Sequence, residues 1–525
     1  MVTLRLTQNS TEQADRFHVE IALEGLGPRR TAAARVAPII TENDQTRIRW
    51  YLEDYLERSA APAPTIAASI ERRMSEIGRG LFRAVFEANR DTIRLWNDVG
   101  DRLGDTRIEI STGVREANAM PWELLRDPRT DAPLALAAAE FVRVQSQAAR
   151  EPRLPQIQSG GPVRVLLVIC RPGGRDDVPF RSVANQLVKG LTDAGDEGVR
   201  LDVLRPPSFD ELGRVLRRAK DSGRSYHIVH FDGHGLYVDK AQLDALKEQL
   251  VFNPNMLEIA GTGAHGYLCF EDATRPNRMR PVDGATLGNL LYETEVPVLV
   301  LNACRSALGD TSPAPDQAAA DKVVPELEDQ VRVYGSLAQA VVDAGVAGVV
   351  AMRNNVYVAT AAQFVGELYQ VMAEGYSLGR AVTRARKHLS DMPDRAVVGA
   401  PIPLQDWLVP TVHEAGPIRL FPERTTAGPL FSLGEHWRSK SEDSNKNELP
   451  PLPDAGFFGR DETLLALDRA FDRHKIVLMH AYAGSGKTAT AAEFARWYRR
   501  TGGIQGPVLF DSFERYRPLA GSGSV

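Results

Sequence analysis

Apolar positions along the chain change rhythm twice. Up to residue 155 two periods alternate. Residues 4–6 and 18–22 alternate apolar with polar, which predicts strands because successive side chains on a strand point to opposite faces. Ile48, Tyr51, Leu52 and Tyr55 share one face of a helix predicted over 47–58. Ile77, Leu81, Phe82, Val85 and Phe86 share a face of another over 75–89. Residues 107–110 and 141–144 return to strand.

From 156 to 412 the rhythm is different. Val163, Val165, Leu166, Leu167, Val168 and Ile169 make a nearly continuous apolar run, as in a strand buried on both faces. Further strands are predicted at 200–204, 227–231, 296–301 and 346–352. Helical patterns lie between them at 209–220, 336–344 and 359–373. Ser208 is the expected N-cap of the first, with Glu211 three residues on. Ser336 is the expected N-cap of the second, and Gly375 stops the third. Strands alternating with helices predict an α/β fold with a doubly wound, mostly parallel sheet flanked by helices, here joined to an α+β N-terminal region. Residues 257–260 and 267–270, separated by Gly261-Thr-Gly-Ala-His-Gly266, read as an inserted β-hairpin.

The third stretch is polar and then Gly-rich. Residues 439–447 lack apolar periodicity, and Leu449-Pro-Pro-Leu-Pro453 follows, which marks a linker. A new unit starts near Gly456, with a strand at 476–479, a Gly-rich loop and a helix at 489–498. The expected division is an N-terminal α/β region (1–155), a doubly wound α/β module (156–412), a linker (413–452) and an incomplete α/β domain (453–525).

Composition narrows the class. The chain has 525 residues, 43% hydrophobic and 25% charged, with a formal charge of −5. These are ordinary values for globular protein. No basic run suggests nucleic acid or an anionic membrane surface as a partner. No apolar run approaches membrane-spanning length, and the first residues lack the apolar core of a signal peptide. Three cysteines make no disulfide framework. They fit a reducing compartment, so a cytoplasmic location is expected.

Two strand exits carry chemistry. His234, between Gly233 and Gly235, follows the apolar run at 227–231, and Cys304 follows the run at 296–301. Open α/β sheets bind ligands beyond the carboxyl ends of their strands. The flanking glycines are expected to let the backbone turn sharply there. If the two strands are neighbours, the imidazole stabilises the thiolate nucleophile and then protonates a leaving amine. Backbone N–H groups of Gly235 and Cys304 are the candidate oxyanion donors.

At these residues the chain resembles a known family. His230-Phe-Asp-Gly-His-Gly235 and Leu301-Asn-Ala-Cys-Arg-Ser306 are similar to the two signatures of CHAT domains, caspase-like bacterial peptidases related to separases and caspases. Met120-Pro-Trp-Glu-Leu-Leu-Arg-Asp-Pro128, Gly266-Tyr-Leu-Cys-Phe-Glu-Asp272 and the stretches 336–353 and 381–386 resemble other parts of that family. The resemblance covers roughly 110–410. It implies a caspase-type fold, a protein or peptide substrate, no peptidase cofactor, and His234 and Cys304 as acid/base and nucleophile. The related metacaspases carry an acidic residue two positions before the nucleophile. Asn302 stands there instead, so a preference for basic side chains does not carry over. Asp232 is either a turn former before Gly233 or a residue lining the same edge as His234. Arg171 and Arg353, each following a strand, are candidates for a pocket that takes an acidic side chain, and Arg305 adjoins the nucleophile. Cys170 and Cys269 read as structural. His230 and His234, four apart on a strand, lack the helical spacing of a zinc pair. The long polar loop 309–332 is expected to gate the cleft or to be cut on activation.

The C-terminal unit carries its own motif. Ala481-Tyr-Ala-Gly-Ser-Gly-Lys-Thr488 follows the apolar stretch 476–479 and precedes a helix. In a P-loop the backbone and helix N-terminus cradle phosphates, here with Gly484 and Gly486 in the loop. Lys487 reaches the terminal phosphates and Thr488 holds Mg²⁺. Ala481 replaces the first glycine of the strict pattern. Phe457-Phe-Gly-Arg-Asp-Glu462 resembles the entry segment of STAND/AAA-type signalling ATPases. Only 508–511 offers a following strand, so ATP or GTP binding is expected of a complete domain rather than of this one alone. The resulting expectation is a cysteine endopeptidase controlled by a nucleotide-dependent switch, activated by a partner or by self-assembly through that domain, in bacterial signalling or defence. A catalytically silent scaffold and a Cys-His acyl transferase are the alternatives.

Overall fold

The computed structural model describes residues 1–10, 17–37, 39–112, 120–144, 150–153, 162–172, 181, 184, 199–238, 265–272, 278–303, 337–353, 356–395, 401–421, 449–451, 457–504 and 506–511. The chain opens with an antiparallel meander of β1 (Val2–Ser10), β2 (Phe17–Glu24) and β3 (Arg30–Val36). β3 escapes the apolar pattern because its centre is alanine, a weak strand former, and only Ala34 and Val36 are buried. Helix α1 (Glu42–Glu53) starts earlier than its apolar face suggests, at a Thr41–Asp44 capping box. Helix α2 (Ala63–Phe86) also begins well before residue 75. Pro64 sits in its first turn, where proline is tolerated. Helix α3 (Arg90–Val99) follows. β4 (Thr106–Thr112) and β5 (Glu140–Val144) then add to β1 in parallel.

The second stretch supplies β6 (Val163–Ile169), β7 (Val199–Val203), α4 (Phe209–Asp221), β8 (Ile228–Val238), β9 (His265–Glu271), β10 (Met279–Asp283), α5 (Gly284–Glu293), β11 (Val298–Ala303) and β12 (Gly348–Met352). Helices α6 (Val358–Ala373) and α7 (Leu378–Asp391), the short β13 (Asp394–Arg395) and β14 (Ile402–Pro403), and β15 (Pro410–Glu414) complete it. Ser208 caps α4, its hydroxyl accepting from the Glu211 N–H at 3.3 Å. Gly375, at φ +89°, follows the end of α6. Residues 337–343 are helical as expected, while Ser336 lies outside the described residues.

Among the described residues, one sheet of 13 strands unites both stretches. Along it lie β7, β6, β8, β11 and β12 in parallel, then β15, then β5, β4, β1, β2 and β3. β15 runs antiparallel to β12 and parallel to β5. The fold is therefore α/β with a large mixed sheet flanked by helices, and the expected division near 155 falls within one sheet. The expected end at 412 also moves. His413 and Glu414 are strand residues, and Ile418, Leu420 and Phe421 are buried. The hairpin partner expected at 257–260 lies outside the described residues. β9 pairs with β10, and on its other side with the far half of β8.

Two further helices, α8 (Asp461–Phe471) and α9 (Lys487–Arg500), pack against this body. Leu464, Leu465, Phe494 and Trp497 join the apolar cluster that also holds Leu167 and Val300. The strand expected at 476–479 is not formed. Ile476 and Leu478 are 89% and 85% exposed. A strand needs a neighbour for its N–H and C=O groups, and no strand of the described residues lies beside it. Residues 508–511 likewise form no strand. Among the described residues, no helix is long and apolar enough to cross a membrane.

Candidate functional site

The site is built where β6 and β11 end beside the middle of β8. In the parallel register of β8 and β11, Val300 lies beside His230, Asn302 beside Asp232, and Ala303 beside Gly233. Across the other edge of β8, Leu167 lies beside His230 and Ile169 beside Asp232. Residues two apart on a strand share a face, so His230, Asp232 and His234 point the same way. At His230 that face meets α6. The Tyr369 ring stacks on His230, with centroids 6.0 Å apart, and its hydroxyl lies 3.2 Å from His230 Nδ1. Burial pushes the His230 imidazole down to about 3, so it is neutral.

The glycines before and after His234 do not turn the chain. β8 continues extended through Gly233, His234 and Gly235 to Val238, because β9 comes alongside and supplies a ladder. Gly233 is required by packing instead. A Cβ there would stand 2.8 Å from the Phe231 ring and 3.0 Å from Cys170 Cβ. Gly235, half-buried, lies beside Leu268. His234 is 8% exposed. Its cross-strand neighbour is Cys269, a relationship that sequence reasoning missed. Directly opposed antiparallel residues carry their side chains on the same face. Cys170 and Cys269 are buried, and burial pushes the Cys170 thiol well up, with Glu271 adding to the shift. Cys304, Arg305 and the loop 309–332 lie outside the described residues. β11 is described as far as Ala303.

Asp232 is not in a turn. It is a strand residue whose carboxylate meets Arg171, Nη2 to Oδ2 at 2.9 Å, with both side chains 1% exposed. Arg171 also donates to the Asp232 and Cys170 carbonyls at 2.9 and 3.0 Å. Asn302 Nδ2 donates to Asp232 Oδ1 at 3.5 Å. Arg171 therefore anchors β8 just before His234, with its guanidinium turned onto Asp232.

Arg353 is also engaged. It donates to Glu123 Oε2 at 3.1 Å and to the Met120 carbonyl at 3.3 Å, while Arg143 clasps the same carboxylate with two bonds of 2.9 and 3.0 Å. Burial alone would push the Glu123 carboxyl up, but Arg143 and Arg353 outweigh it and hold the group at about 2. Burial lowers the Arg353 guanidinium to about 10. Glu123 belongs to the Met120–Pro128 motif, a signal that the sequence carried without revealing its partners.

The Gly-rich loop stands apart. Gly484 and Gly486 have φ of +76° and +80°, and α9 begins directly after them. Lys487 Nζ donates to the Ala481 and Tyr482 carbonyls at 2.8 and 2.9 Å, and Thr488 is exposed in the first turn. The left-handed glycines and the helix start suit a phosphate cradle. The strand that would present such a loop is missing among the described residues.

The family described as the CHAT domain matches residues 76–425. No curated protein matches. Among solved structures, a chain of the Saccharomyces cerevisiae separase–securin complex matches at 10% identity with a TM-score of 0.36, covering 80% of this chain and 30% of that one. The chain thus spans less than a third of the length of that solved chain.

Proposed function

Because the chain belongs to the CHAT domain family, we propose that it is a caspase-like cysteine endopeptidase acting through His234 and Cys304. The supporting observation is the parallel register of β8 and β11. Gly233 lies beside Ala303, and the next residues in sequence are His234 and Cys304. In this reading the Cys304 thiolate attacks the scissile carbonyl carbon and forms a C–S bond. Backbone N–H groups of Gly235 and Cys304 receive the oxyanion. Collapse breaks the C–N bond, and the His234 imidazolium gives its proton to the departing amine. Water then attacks the thioester, gives a proton to His234 and releases the carboxylic acid, restoring the thiolate.

A fluorogenic peptide library tests this reading on wild type, Cys304→Ala, His234→Ala and Cys269→Ala. Cleavage lost in the first two variants and kept in the third supports it. Cleavage that persists without Cys304 sinks it. The burial of His234 favours a second reading, a silent scaffold that assembles through its C-terminal segment. Absence of cleavage of any peptide, even with a natural activator present, selects that reading.

For the segment 481–488 we infer a phosphate-binding loop from a P-loop domain, in which Gly484 and Gly486 shape the cradle, Lys487 meets phosphate and Thr488 holds Mg²⁺. Titration calorimetry with ATP or GTP and Mg²⁺ is the test. Heat lost in Lys487→Ala supports binding, and no heat in the wild type rejects it for this chain. Control of the peptidase by this loop, in a bacterial signalling or defence system, follows from the resemblance of the segment to signalling ATPases.

A further inference from the structure

Helix α8 reaches the rim where β6, β8 and β9 approach one another. Its Arg469 grips Glu271, at the end of β9, with two bonds of 2.8 Å, Nε to Oε2 and Nη2 to Oε1. Such a fork matches a carboxylate plane in a way that lysine does not. Arg469 also donates to the Ile169 carbonyl at the end of β6, at 3.0 Å. The same Glu271 Oε1 accepts the backbone N–H of Arg171 at 2.7 Å. Arg171 in turn holds Asp232 by its side chain and by its carbonyl. Arg469, Glu271, Arg171 and Asp232 thus form an unbroken line of contacts from α8 to the position two before His234.

The helix is held there by more than this line. Arg205 donates to Asp468 at 2.9 Å and to the Thr501 carbonyl and hydroxyl at 2.9 and 2.7 Å. Arg181 meets Asp461 at 3.3 Å and Glu493 at 2.6 Å. Asp468 is fully buried. The acidic groups facing Arg469 include Glu271 from β9 and Asp468 and Asp472 from α8 and its end.

We propose that Arg469 is a positioning residue for the His234 end of β8, acting through Glu271 and Arg171 on Asp232. This rests on the peptidase reading. It also makes the helix pair that carries the Gly-rich loop part of the peptidase's own scaffold. Removing Arg469 leaves Glu271 with less positive charge beside it and loosens the hold on Arg171. Both changes disfavour a thiolate at the site.

The test is the pH dependence of Cys304 alkylation by iodoacetamide in the full chain, read by peptide mapping, with thermal unfolding of every variant as a check on folding. Arg469→Ala is expected to slow alkylation at neutral pH by about three- to tenfold and to move the inflection to higher pH. Arg469→Lys recovers part of the loss. In a Glu271→Gln background the effect of Arg469→Ala largely disappears, since two residues acting through one contact are not additive. A profile of folded Arg469→Ala that overlays the wild type overturns the proposal, as does full additivity with Glu271→Gln. If Arg469→Ala does not fold, Arg469→Lys takes its place in the cycle. Failure of the peptidase reading looks different, because His234→Ala then leaves Cys304 alkylation unchanged.

Discussion

Asp232 and Asn302 lie side by side on two parallel strands, both fully buried, with Asn302 Nδ2 3.5 Å from Asp232 Oδ1. The amide suits this position because a carboxylate already occupies the other side and is neutralised by Arg171. An acidic residue at 302 would set two buried carboxylates against one guanidinium. Asn302→Asp is expected to destabilise the fold by about 2–4 kcal/mol at neutral pH. One of the two carboxyls would then titrate above its ordinary range. That part of the native stability is present at low pH and lost as pH rises. Chemical denaturation at pH 5 and pH 8 reads it, and equal losses at both would speak against the account.

Gly233 offers a packing test. Its would-be Cβ meets the Phe231 ring, which is itself wedged against Phe270 with centroids 5.1 Å apart. Gly233→Ala should cost about 1–3 kcal/mol by overpacking, seen as a lower Tm. Because His234 is the next residue, the rate of Cys304 alkylation should fall as well.

Glu123 carries two arginines. Glu123→Gln removes the carboxylate faced by both Arg143 and Arg353, and losing one partner from a buried charge cluster typically costs about 3–5 kcal/mol. The expected result is a urea midpoint shifted down with an unchanged slope. A variant as stable as wild type would mean that the cluster contributes little to folding.

Acid sensitivity should come from buried histidines. Burial lowers His227 to about 4 and His230 to about 3, and His413 also falls to about 3, through burial with Arg143 adding to it. Each has a folded pKa below its unfolded value near 6.5. Their contribution is therefore full above pH 6.5 and lost as pH falls towards 3 to 4. Glu414 acts in the opposite sense. Burial raises it to about 7 against an unfolded 4.5, so its contribution is full below pH 4.5 and lost as pH rises through 7. His230→Phe, which preserves a ring against Tyr369, should make the acid limb of a stability–pH curve less steep. An unchanged limb would remove His230 from the cause.

The sequence revealed those elements whose own residues decide them. Val163–Ile169 is legible because apolar residues facing both sides leave no other reading, and Ser208 because a cap needs only its own turn. The start of α2 was hidden by Pro62 and Pro64, which look like breakers until the second is seen inside the first turn. His234 was found through its glycines, although Gly233 is there for the Phe231 and Cys170 side chains rather than for a bend. Arg171 and Arg353, candidates for a pocket that takes an acidic side chain, each face a carboxylate of the chain itself. Their carboxylates come from 61 and 230 residues away, and one sequence does not announce such pairs. The strand expected at 476–479 failed for a related reason, since apolar alternation states a preference and a neighbour must satisfy it.

β15 joins two blocks of parallel strands, and Glu414 on it reaches Arg107 on β4 at 2.8 Å. The last strand of the sheet is thus a keystone, set between β12 (Gly348–Met352) and the much earlier β5 (Glu140–Val144). A nascent chain leaving the ribosome cannot close this sheet until residue 414 has emerged, so the edge that carries His234 and the N-terminal meander reach their joined form together and late.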